Sequence, residues 1–143
     1  MVRQFQSDSE IFEIGEGLLS CTLPKSKWTH EAHFAATVYL ILKKPEIDLE
    51  KKMPGIIWKY NESTGGKNTD TSGYHETLTQ FYIKIIRKFL KSNHRGEMFE
   101  ICNQLVSSPI ADRNHPLEFW SKELLFSVNA RKRWVEPDLK EVY

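Results

Sequence analysis

Cysteine is too scarce here to hold the chain together: only Cys21 and Cys102 occur in 143 residues, far apart and without metal-ligand or redox spacing. That excludes a disulfide framework and a cysteine-based zinc module, and it suits two reduced, buried thiols in a cytoplasmic protein. An excess of charge of either sign is also missing. Twenty lysines and arginines face nineteen aspartates and glutamates, a net charge of +1, so no long-range field draws the chain to nucleic acid or to an anionic membrane, and neither partner is expected. Long apolar runs are absent as well. The longest, Phe34 to Leu42, is interrupted by Thr37 and is far too short to span a bilayer, and Met1-Val2-Arg3-Gln4-Phe5 leads into polar residues rather than an apolar signal core. The expectation is a soluble, cytoplasmic protein. There is no internal repeat, no low-complexity segment and no stretch of alternating character that reads as a strand.

What is present is helical periodicity. With 40% apolar residues the chain is long enough for one domain with a single core, and the reading is an all-α bundle of five or six helices, core about 8–130, with a C-terminal extension over 131–143. Ser7 and Glu10 have capping-box spacing ahead of Ile11, Ile14, Leu18 and Leu19, which predicts a first helix over 8–20, weakened by Gly15 and Gly17. After a connector containing Pro24, a helix over 30–44 is apolar nearly all round, as the central helix of a bundle would be. A third over 49–61, capped by Asp48, contains Met53-Pro54-Gly55, where proline predicts a kink or break. Residues 62–73 form a polar, glycine-rich loop, expected to order only over an occupied site. The fourth helix, 74–92, has the stripe Tyr74, Leu78, Phe81, Tyr82, Ile85 and Phe89. A short helix over 97–106, another from Pro116 to about Phe126, and a short helix plus an extended end complete the chain.

Histidine is scarce too, which makes its placement informative. Of five histidines, three sit in two helix starts, Trp28-Thr29-His30-Glu31-Ala32-His33 and Gly73-Tyr74-His75-Glu76-Thr77, while His94 and His115 lie beside turn residues and are expected to be exposed. Sequential antiparallel packing puts the second and fourth helices parallel, with the third returning between them, so both histidine motifs share one end of the bundle. Tyr60 and Asn61, at the finish of the third helix, join them.

Two chemistries and one structural role fit this cluster. His30 and His33, three apart on a helix, can chelate one divalent, zinc-like ion with His75 as third ligand and water in an open position, Glu31 or Glu76 acting as acid, base or orienting partner. The spacing is not the four-apart pattern of zinc proteases. Without a metal, the helix starts offer free N–H groups and a positive dipole end to a small anionic ligand, with Trp28, Tyr60, Asn61, Tyr74, Thr79 and the loop hydroxyls lining a pocket. Arg131, with Trp134 and Pro137-Asp138, can fold back over it. The structural role is capping and buried hydrogen bonding that holds the loop to the bundle. No nucleotide-cofactor motif is present. The functional expectation is a small-molecule enzyme, with a non-catalytic binding protein or an interaction module as alternatives.

The segments WTHEAH (28–33), YNE (60–62), GYHETLT (73–79), and Ala130-Arg131 with Trp134-Val135-Glu136-Pro137-Asp138 resemble a family of small bacterial helical proteins. The resemblance covers most of the chain after Leu19; it implies those residues as the site and implies no reaction. A fainter, fold-level similarity is to DinB-like bundles, in which three histidines surround a metal at one end. Those take two ligands from one late helix with wider spacing, whereas here the pair comes early.

Overall fold

The computed structural model describes residues 4–142. Among them every regular element is helical: five helices of nine residues or more, two short ones and three single 3-10 turns. The long helices are α1 (Asp8–Ser20), α2 (His30–Lys43), α3 (Leu49–Ser63), α4 (Glu76–Ser92) and α5 (Met98–Val106). The segment expected as one helix from Pro116 to Phe126 is instead a 3-10 turn, His115–Glu118, followed by α6 (Lys122–Leu125), because Ser121 starts a new cap by accepting from the Leu124 amide. α7 (Val128–Lys132) and an extended end follow. No helix among the described residues is long and apolar enough to cross a membrane.

Local chemistry sets the helix starts. Ser7 accepts from Glu10 N–H at 3.3 Å, and the Glu10 carboxylate returns to the Gln6 amide at 3.0 Å. Thr29 caps α2 through the Ala32 amide at 3.1 Å. Asp48 precedes α3 but makes no side-chain cap. Gly15 and Gly17 turn out to be packing residues: a Cβ on Gly15 would stand 2.1 Å from the Tyr39 ring, and one on Gly17 2.9 Å from Leu23. Glycine is therefore what lets α2 and the connector approach α1.

Pro54 does not break α3. The helix runs through it, and the Glu50 carbonyl that would ordinarily bond residue 54 accepts instead from Gln80 Nε2 at 2.8 Å. A side chain of α4 thus replaces the bond that proline removes.

α2 is the hub. Its residues Phe34 to Leu40 are all buried, and it packs on α1, α4 and α5. α3 leans on α1 and α4 rather than standing between α2 and α4. The reason is area: α2 is apolar on every face, whereas α3 has one stripe, Leu49, Met53 and Tyr60. Within the same core Phe81, Phe119 and Trp120 form an aromatic group, the last donating to the Val135 carbonyl at 3.0 Å.

Candidate functional site

Parallel placement of α2 and α4 leaves both their N-termini on one cavity of about 760 Å³. His30 and His33 from α2, Asn61 from α3, and Tyr74, His75 and Thr79 at the α4 start all line it, together with Trp28. The convergence inferred from topology is therefore present.

How the imidazoles are used differs from the expectation of a joint metal centre. A carbonyl oxygen can only accept, so a ring nitrogen facing one carries the proton. His30 Nε2 donates to Ala111 O at 2.7 Å, His33 Nδ1 to Thr29 O at 2.7 Å and His75 Nε2 to Leu125 O at 2.8 Å. The second nitrogen of His75 is occupied as well, since Nδ1 accepts from the Leu78 amide at 3.2 Å and caps α4. His75 thus has no lone pair left for an ion. Among the described residues no group of three or more His, Cys, Asp or Glu side chains stands where it could hold a metal. Burial holds the His75 pKa below its ordinary value, as a neutral, doubly bonded ring requires.

His30 and His33 each keep one ring nitrogen, Nδ1 and Nε2 respectively, without a hydrogen bond among the described residues, and His33 is the exposed one of the two. Its ring stacks on Trp28 with centroids 3.8 Å apart, and Nε2 makes no hydrogen bond among the described residues. Desolvation lowers its pKa to about 4, with nearby His30 and Arg113 adding to the fall and the Thr29 hydrogen bond opposing it. The residue remains accessible to solvent through the cavity, so water screens part of this effect and the direction is what matters.

The remaining expected residues divide. Glu31 and Glu76 do not line this cavity. Glu76 accepts a short hydrogen bond from the Tyr74 hydroxyl, whose pKa rises through burial first and then through this contact. Tyr60 is fully buried and donates to Leu23 O at 2.7 Å, so it supports the floor without facing it. Arg131 reaches the Gly73 and Tyr74 carbonyls at 3.0 and 3.3 Å, tying α7 to the loop. The tail does not cover the cavity: Asp138 holds the Ser121 amide and hydroxyl at 2.8 and 2.7 Å, and Trp134 packs on Trp120. His94 is exposed, but His115 is buried, only 7% accessible, with Nδ1 3.1 Å from Glu118 and Nε2 unpartnered among Phe81 and Phe119.

The loop after α3 holds itself. Asn68 takes the Asn61 side-chain amide at 3.0 Å and the Tyr74 amide at 2.9 Å, and donates to Trp58 O at 3.1 Å. Thr69 and Ser72 close a turn through Thr69 N to Ser72 O at 2.9 Å. These bonds tie the loop to the end of α3 and the start of α4.

Sequence reasoning missed three cations on the cavity wall, Lys25, Lys67 and Arg113, and the apolar residues Phe34, Met53, Ile57, Tyr82, Ile83 and Ile86. No aspartate or glutamate lines it. Arg113 had no signal in the sequence, since its loop reaches the cavity through the bond from His30 to Ala111, two residues earlier. The chain matches no family model, no curated protein and no solved structure, so geometry alone speaks for the chemistry of the site.

Proposed function

We propose that the protein binds a small organic anion in the cavity between the starts of α2 and α4. One observation carries this reading: three permanent cations and no carboxylate line the cavity. Among the described residues none of these cations makes an ion pair, although Lys132, Lys140 and Arg87 elsewhere do. Unpaired cations around a concave, partly apolar space favour an acidic ligand over a basic or neutral one. The α2 N-terminus adds the positive end of a helix dipole on the same side. Titration of isotope-labelled protein with small carboxylates and their matched primary amides tests the reading. Acids should shift the amides of Thr29, His33 and Thr79 and the Asn61 side chain, with amides much weaker, and Arg113→Gln with Lys67→Gln should erase the difference. Equal binding of acids and amides would overturn it.

An enzymatic reading draws on a different observation. His33 has Nδ1–H anchored on Thr29 O, leaving Nε2 as an oriented acceptor in a ring kept neutral by its surroundings, the arrangement of a general base. Turnover of any bound acid that is lost in His33→Gln while binding persists would support it; identical behaviour of both proteins would exclude His33 as the base.

A further inference from the structure

The cavity wall is divided by polarity along its depth. Lys25, Lys67, Arg113 and His33 are solvent-exposed, whereas Phe34, Met53, Ile83 and Ile86 are buried, with Ile57, Leu78 and Tyr82 half-buried between them. Charge is therefore confined to the mouth and the interior is mostly aliphatic. The described residues give the Tyr82 hydroxyl no hydrogen bond, and Arg113 lines the same cavity as that ring and His33, with Asp112 next to it in the chain.

Resting on the anion-binding reading, we infer that the ligand is a single-headed amphiphile, an aliphatic monocarboxylic acid whose carboxylate meets Arg113 and Tyr82 at the mouth and whose tail fills the apolar interior. A compact anion such as inorganic phosphate would leave that interior without apolar contacts, and a polyanion or sugar acid would bury hydroxyls or charges there without partners. A tail satisfies both ends. Its body also matches what α2 and α4 present, since the threonine hydroxyls among them are already engaged: Thr37 donates to His33 O at 2.8 Å and Thr79 to His75 O at 2.8 Å.

The test is calorimetric titration of the full chain with straight-chain carboxylates from butanoate to dodecanoate, below their micellar concentrations, beside the corresponding alkanols and with acetate and phosphate as compact anions. Affinity should rise about fourfold per added methylene until the interior is full, with one site per chain and alkanols about tenfold or more weaker than the acids, the size expected when one charge-assisted contact is lost. Arg113→Gln should remove the preference for acid over alkanol while keeping the dependence on length. Ile57→Trp should abolish binding by filling the interior; should that variant not fold, Leu78→Trp does the same from the opposite helix. A length-independent affinity for all anions would overturn the amphiphile inference and leave anion binding standing. Alkanols binding as tightly as acids, or no binding of any anion, would overturn both.

Discussion

Replacing His75 with alanine separates scaffold from ligand chemistry. In the structure His75 is 8% exposed, caps α4 through Leu78 N and donates to the buried Leu125 carbonyl 50 residues away. Losing an N-cap costs about 1 kcal/mol, and stranding a buried carbonyl costs roughly 1–3 kcal/mol. Together, His75→Ala should lose about 2–4 kcal/mol. For a chain of this size about 1 kcal/mol moves the midpoint by roughly 3 °C, so thermal unfolding should fall by about 6–12 °C. His75→Asn should recover about 1 kcal/mol, because asparagine can cap α4 but is too short to reach α6. Urea unfolding followed by circular dichroism, with an unchanged m-value, measures all three proteins. A loss under about 0.5 kcal/mol, with Asn no better than Ala, would refute the architectural role. Loss in the variant of a metal present one-to-one in the parent would return His75 to the ligand set.

Tyr60→Phe should cost about 1–3 kcal/mol by stranding Leu23 O while leaving carboxylate affinity unchanged, and a selective loss of affinity would put the hydroxyl in the site. Acid should destabilise the fold: the folded-state pKa values of His75 and His33 lie below the unfolded value, so their contribution is full above about pH 6.5 and is lost as pH falls towards 4. Most of that slope should vanish in His75→Ala, since His75 is the enclosed ring, and an unchanged slope in urea titrations against pH would contradict this. Gly15→Ala should destabilise by about 1–3 kcal/mol despite alanine's better helix propensity, because Tyr39 must move off its 2.7 Å bond to Glu16; a stabilised variant would show that the ring yields freely. Gln80→Ala should cost about 0.5–1.5 kcal/mol in the parent and close to nothing in Pro54→Ala, where the restored N–H can bond Glu50 O; equal costs in both backgrounds would break the link.

The parts of the fold legible in the sequence were those set by neighbours within a turn or two. Phe81 and Ile85 on the buried face of α4, the Ser7 cap and the nearly all-apolar α2 follow from spacing, and the shared end of α2 and α4 follows from the alternation of helix direction. What spacing could not show was set by distant partners. Pro54 reads as a kink or a break, and the helix is seen to continue only once Gln80, 26 residues later, supplies the missing donor. Gly15 reads as a weakness until the Tyr39 ring is laid against it. His115 reads as a surface residue beside turn formers, yet Phe81 and Phe119 close over it. The loop after α3 reads as polar and glycine-rich, and that composition does not reveal that Asn68 bonds residues on both sides of it, Asn61 and Tyr74.

The histidines show why residue type located the cavity but could not say which carbonyls the rings would bond. An imidazole at a helix start can reach a carbonyl on another segment without distorting its own helix, because the first turn has no intrahelical partners to lose. His30 does this to Ala111 and His75 to Leu125, so two helix starts hold the segment 111–125 against the bundle at a separation of 81 and 50 residues. Arg113, two residues after Ala111, is exposed and lines the same cavity as His33 and Tyr82. The rings that look like ligands in the sequence are thus, for His30 and His75, the positioning groups of the wall. On the proposed reading recognition falls to cations that carry no motif, and the trio's imidazole nitrogens that remain without a hydrogen bond among the described residues are His33 Nε2, on the ring against Trp28, and His30 Nδ1.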